Sequence, residues 1–219
     1  MTRYVAFLRA INVRGHALVK MTDLCAAFQS AGCKNATSFI QSGNVIFDSA
    51  ATDTAPLFRK ILGKVRALAG GDPQIVYRSV DDLEALVRTK PFDGLEDDRL
   101  LKLYVVFLAA KPSKRPRLPI EDAKERLEAI ARTGLDVLLV SRRKPSGMYG
   151  FPNAFVEQAF GVPATSRNWN TVRKILERAR VGGGGERLRS TMSVTRSSRL
   201  VRGAAAPRAG RAGSRCRAS

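Results

Sequence analysis

The chain is short of the residues that most often carry metal and acid–base chemistry. It has one histidine, His16, and three cysteines, Cys25, Cys33 and Cys216, which lie far apart with no CxxC spacing. That scarcity argues against a disulfide framework or a structural zinc site, and a reduced, cytoplasmic setting fits best. No apolar run approaches the ~18 residues that span a bilayer, so no membrane partner is expected. Met1–Arg9 has a short apolar run without a small-residue cleavage site, which does not read as a signal peptide. There is no Ser-His-Asp set, GxSxG, Walker loop, HExxH or dinucleotide fingerprint, and hence no cofactor is implied. His16 sits beside Gly15 in a polar loop, with no obvious partner for general acid–base work. Asp81-Asp82 and Asp97-Asp98 read as helix-start or loop acids.

Acidic residues are scarce too. The sequence holds 38 Lys and Arg against 19 Asp and Glu, a formal net charge of +19. From Val181 onward there are nine arginines, no lysine and one acid, which leaves residues 1–180 at a net +11. A basic balance of this size points to anionic partners, either nucleic acid or small phosphorylated or carboxylated ligands.

The hydrophobic fraction of 44% is enough for a sizeable core. Tyr4–Leu8 reads as a buried strand, and Leu24, Ala27, Phe28 and Ala31 recur at helical spacing before a stop at Gly32. Two β-prone runs, Thr37–Gln41 and Val45–Phe47, flank Ser42-Gly43-Asn44, a hairpin turn because Gly and Asn accept positive φ. A second amphipathic helix covers Ala55–Ala69 and stops at Gly70-Gly71, Ile75–Tyr77 is a further strand, and a helix over Val80–Thr89 is closed by Pro91. The β-α-β-β-α-β order is the split βαβ, or ferredoxin-like, pattern.

The second half begins again. Tyr104–Ala110 matches Tyr4–Ala10 at five of seven positions, which suggests duplication. A proline-broken loop (Lys111–Pro119) leads to a helix expected over Glu121–Arg132, with Glu121 and Asp122 as capping acids. Val137–Val140 is a strand, Lys144–Gly147 a turn, and Asn153 caps a helix ending at Phe160 and Gly161. Asn168 caps a last helix over Thr171–Arg180. The expected fold class is α+β: two ferredoxin-like α/β plaits, residues 1–90 and 91–180, followed by a tail at 181–219. The tail is dominated by Arg, Gly, Ala, Ser and Pro, and has too little apolar surface to offset chain entropy, so disorder is expected. An RNA-binding arm is one reading of it. The absence of lysine and the GC-rich codon bias of its residues equally suit a frame-shift or read-through extension.

Several blocks together resemble the bacterial family known as domain of unknown function 1697. They are Phe7–Gly15 (FLRAINVRG), Lys20-Met21 with Leu24, Ile40–Phe47 (IQSGNVIF), and Gly161–Val172 (GVPATSRNWNTV). The blocks span residues 4 to about 178 in family order. The resemblance implies a pair of α/β plaits and assigns no reaction. Ala10 and Arg14 stand where the family usually has glycine, which weakens any phosphate cradle in that loop.

In the expected topology the end of strand one, the strand-two/three hairpin and the start of the first helix meet at one rim. Arg9, Asn12, Lys20, Gln41, Ser42 and Asn44 then converge there as a candidate anion site near a helix N-terminus. Arg167, Asn168, Trp169 and Asn170 form a second candidate group, since two Asn flanking the only Trp exceed what one cap requires; a plain helix cap beside a core anchor remains the simpler reading. Three functions stay open: binding of, or action on, a small anionic ligand at the rim; nucleic-acid binding through an open sheet face, the basic surface or the tail; and a protein-interaction role through dimerisation. Against nucleic acid, Phe7 and Phe47 do not sit in the aromatic pattern of ferredoxin-like RNA modules.

Overall fold

A computed structural model describes residues 1–11, 19–40, 43–69 and 72–181. The expected disorder of the tail, and the loop around His16, lie outside the described residues. The first half runs β1 (Thr2–Arg9), α1 (Met21–Ser30), β2 (Lys34–Phe39), β3 (Asn44–Ser49), α2 (Thr54–Ala69), β4 (Gln74–Ser79) and α3 (Val80–Arg88). Its sheet has the order β2-β3-β1-β4, every pair antiparallel. The second half runs β5 (Leu101–Leu108), β6 (Ile120–Asp122), β7 (Leu127–Thr133), β8 (Asp136–Arg142), α4 (Pro152–Phe160), β9 (Ala164–Asn168) and α5 (Trp169–Val181). Its sheet, also antiparallel, has the order β6-β7-β8-β5-β9. The protein is thus a mixed α+β structure with two antiparallel sheets, both inside one compact unit.

The central strands are apolar on both sides because both faces of each sheet are covered. Ala6 and Leu8 of β1 join Val45 and Phe47 of β3 beneath α1 and α2. Val5 and Phe7 point the other way, into a shared core with Val105 and Phe107 of β5, Leu138 and Val140 of β8, and the inner faces of α3 and α5. Val106 and Leu108 face a third core, closed by Val156 and Phe160 of α4. At the join the rings of Phe7 and Phe107 stack with centroids 4.1 Å apart and planes 8° from parallel. Offset aromatic stacking adds about 0.5–1.5 kcal/mol beyond the area buried.

Local signals set most of the boundaries. Ser79 and Asp82 form a reciprocal capping box at the start of α3. Gly161 ends α4 at φ +73°, a left-handed cap that suits glycine.

Four expectations need correction. Glu121–Arg132 is not a helix: β6 and β7 form a hairpin there, and the Asp122 carboxylate accepts from the Glu125 amide 2.9 Å away in the connecting turn. The run of Leu, Glu, Ala and Lys favours helix locally, but Leu127 and Ala129 alternate into the α4 core, and β7 completes the ladder beside β8. Packing and pairing overrode propensity. Asn153 does not cap α4. Phe151 holds that position without a side-chain bond, and Pro152 takes the first turn, where a missing N–H costs nothing. The last helix begins at Trp169 rather than Thr171. Finally, β9 was unforeseen, because Ser166, Arg167 and Asn168 look like a polar loop until β5 supplies a partner.

The halves correspond element by element: β1 with β5, β2 with β7, β3 with β8, α2 with α4, β4 with β9, α3 with α5. Only α1 lacks a counterpart; a loop and β6 stand in its place. Helices α3 and α5 pack together beside the Phe7–Phe107 stack.

Candidate functional site

Each half sends one arginine into the other. Arg78 on β4 lies opposite Val5 of β1, and Arg167 on β9 lies opposite Val105 of β5, so the two occupy equivalent ladder positions. Both immediately precede a helix-capping residue, Ser79 and Asn168 respectively. The Arg78 guanidinium sits 5.4 Å from the Phe107 ring centroid and that of Arg167 5.6 Å from Phe7. Arg78 Nη2 donates to the Leu108 carbonyl at 3.0 Å, and Arg167 Nη2 donates to the Leu8 carbonyl at 2.9 Å. In both cases the next acceptor is the carbonyl one residue before a paired strand, Leu135 at 3.0 Å or Gly43 at 3.4 Å.

The Nε partner breaks the symmetry. Arg78 Nε donates to Asp136 at 2.8 Å, whereas Arg167 Nε donates to Asn44 at 2.6 Å. Asp136 pairs with Phe107 and Asn44 with Phe7, so carboxylate and carboxamide occupy matched sites. The first clamp is a buried ion pair, and burial still holds the Asp136 carboxyl above the usual carboxylate range despite Arg78. In the second clamp Arg167 also donates to Thr165 Oγ1 at 3.0 Å and to the Ser166 carbonyl at 2.8 Å. Desolvation brings the Arg167 guanidinium down to about 10, so it stays charged at neutral pH.

Arg9 emerges from the end of β1 onto the same rim. It pairs with Glu157 of α4 and donates to the Ala164 carbonyl at 3.0 Å, while Glu157 also accepts from the Ala164 amide at 2.9 Å. Arg9, Gln74, Glu157 and Gly161–Pro163 line an open depression of about 480 Å³.

Among the sequence candidates, the structure joins Asn44 to Arg167 directly, with Arg9 at the same edge. Asn44 is fully buried, and its amide also donates to the Phe39 carbonyl at 3.2 Å. Lys20 is exposed at the N-cap position of α1. Asn12, Gln41 and Ser42 lie outside the described residues. Asn168, Trp169 and Asn170 do not join the rim. Asn168 holds Asp97 and accepts from the Asn170 amide at 2.9 Å, as a cap does, and Asn170 is exposed. Trp169 packs edge-on against Phe92, centroids 5.4 Å apart, in the shared core. The open face expected for nucleic acid is also corrected: Phe7 and Phe47 are both 0% exposed, on opposite covered faces of the first sheet. Sequence reasoning missed Arg78, Asp136 and Glu157. The available signal was an arginine directly before a helix cap in both halves, Arg78-Ser79 and Arg167-Asn168.

The class defined by these features is a two-sheet α+β protein whose halves correspond and are joined by reciprocal arginine clamps. A solved structure of similar fold is the conserved bacterial protein SP0830 from Streptococcus pneumoniae. It matches with a TM-score of 0.52 at 19% identity, over 81% of this chain and 98% of that one. The chain belongs to the family described as Protein of unknown function (DUF1697), whose family model matches residues 1–137. No curated protein matches the chain. No described helix is long and apolar enough to cross a membrane.

Proposed function

We propose that this protein binds a small anionic ligand, phosphorylated or carboxylated, at the rim where β1 ends and the β2–β3 hairpin returns, on two ferredoxin-like plaits in a cytoplasmic setting. The carrying observation is the Asp136-to-Asn44 difference between the two clamps. Where one arginine meets a carboxylate inside the fold, its counterpart in the matched position meets a carboxamide, and that second cation lies beneath the rim. Arg9 adds charge at the same edge, although Glu157 offsets it. A fixed buried charge attracts an anion more strongly than a solvated one, because little water screens it.

The test is a thermal-shift screen of the whole chain against inorganic phosphate, nucleotides, sugar phosphates and small carboxylates. A saturable rise in Tm is expected with at least one. Asn44→Asp recreates the other clamp at the same size, so it should abolish that rise while circular dichroism stays unchanged. If no anion shifts the wild type at millimolar concentration, or if Asn44→Asp responds as the wild type does, the reading fails.

A further inference from the structure

Away from the rim residues, Leu100 lies against the turn Lys144–Gly147, and Met148 and Phe151 follow that turn in the chain; all three are large apolar side chains exposed among the described residues. Leu100, Met148 and Phe151 are 59%, 62% and 76% exposed. The turn at Lys144–Gly147 is held from several sides. Lys144 N donates to the Met148 carbonyl at 2.8 Å, and Gly147 N donates to the Lys144 carbonyl at 2.9 Å. Gly147 adopts φ +82°, and Arg143 Nε donates to its carbonyl at 3.0 Å. Arg126 donates to the Arg143 carbonyl at 2.8 Å, and the Tyr149 hydroxyl donates to the Arg99 carbonyl at 2.6 Å.

Between Leu100 and this turn lies a groove of about 420 Å³, lined also by Arg126, Arg143 and Lys144 and by no acid. Glu125 engages Lys144 at 2.8 Å from outside the lining, and Asp98 spends one carboxylate oxygen on the Leu100 and Leu101 amides. Arg126 and Arg143 are exposed, and each uses one side-chain donor on the backbone, so both keep donors for an anion.

We propose that this groove binds single-stranded nucleic acid, with phosphates on Arg126, Arg143 and Lys144 and a base stacked on Phe151. Cations in a concavity, with an exposed ring a few residues further along the chain at Phe151, match a strand that alternates phosphate and base. A bare polyphosphate would leave the apolar residues in water, and a bilayer surface would not enter a groove. The net charge of +19 favours approach of a polyanion, and the site is independent of the rim because no residue is shared.

The test uses the whole chain with fluorescent single-stranded RNA and DNA of about twelve nucleotides, read by anisotropy between 50 and 200 mM salt. Because the arginine-rich tail can bind polyanions by itself, the variants are compared within the full chain. Removing both arginines (Arg126→Ala with Arg143→Ala) should flatten the log–log salt slope by about 1.4, at about 0.7 per phosphate contact on a single strand. Phe151→Ala should weaken binding about 5- to 100-fold with the slope unchanged, the effect of one stacked base. Phe151→Trp places a reporter at the proposed stacking position, whose fluorescence the oligonucleotide should quench beyond any change seen for Trp169 in the wild type. Unchanged affinity and slope in all variants would assign binding to the tail and overturn the proposal. So would a Phe151→Trp signal that ignores oligonucleotides and responds to anionic vesicles.

Discussion

The two clamps place the same cation in the same backbone frame with different partners. Arg78 faces a carboxylate and Arg167 a carboxamide, so the first clamp is closed by an ion pair and the second is built on an amide. Both arginines lie over a phenylalanine of the central stack and reach the carbonyl that follows it in sequence. Their mechanical task is therefore shared: each holds one half of the molecule to the other. What differs is the acceptor at Nε, carboxylate in one clamp and carboxamide in the other, a change of one oxygen for one nitrogen.

The strongest way to break the comparison is to remove the closed clamp. Arg78→Met leaves Asp136 buried without its guanidinium, and should cost about 3–5 kcal/mol in urea unfolding. Phe107→Ala, which takes away the ring shared by the stack and by Arg78, should cost a similar ~3–5 kcal/mol. Asp136→Asn converts the ion-pair clamp into a copy of the amide one. It keeps the hydrogen-bond acceptor while losing the charge, so a smaller loss of about 1–3 kcal/mol is expected in the same assay.

An acid titration sharpens the contrast between carboxylates. Arg3 donates to Asp48 at 2.7 and 2.8 Å and, with Asn35, holds its carboxyl below the ordinary range. A depressed folded pKa contributes stability that is present above the unfolded value, near 4, and is lost as pH falls through the folded value. Asp136 is shifted the other way, so its contribution becomes less favourable as pH rises from the unfolded value, near 4, through its raised folded value. Asp48→Asn should therefore flatten the loss of urea stability as pH falls below about 4, and Asp136→Asn should remove a decline in stability as pH rises above about 4. The smallest effect belongs to the exposed pair joining α3 and α5, Arg180 with Glu84 at 2.8 Å. Glu84→Ala should change stability by less than about 1 kcal/mol.

Legibility followed the strength of local signals. The strands and helices of the first half carry clear periodicity and turn residues, and the sequence placed each in order. The repeat Tyr104–Leu108 announced the second half, and β5 lies where Tyr104–Ala110 indicated. The pattern failed at residues 121–132, where good helix formers pair as strands, and at Ser166–Asn168, where polar residues complete an edge. The rim was partly legible: Arg9 and Asn44 do lie at one edge, but Asn44 serves Arg167 from within. The block from Arg167 to Asn170 divides, with Arg167 crossing to the other half while Asn168, Trp169 and Asn170 cap and anchor a helix.

By itself the sequence determined the α+β character, the succession of elements in the first half, the existence of a second half and the basic balance, because period, turn chemistry and charge are properties of neighbours along the chain. Only the tertiary structure decided that β7 is a strand, that Phe7 meets Phe107, and that Arg78 and Arg167 occupy matched sites with unmatched partners. Those outcomes depend on residues as far apart as Asn44 and Arg167, 123 positions, brought together by packing that no local preference encodes.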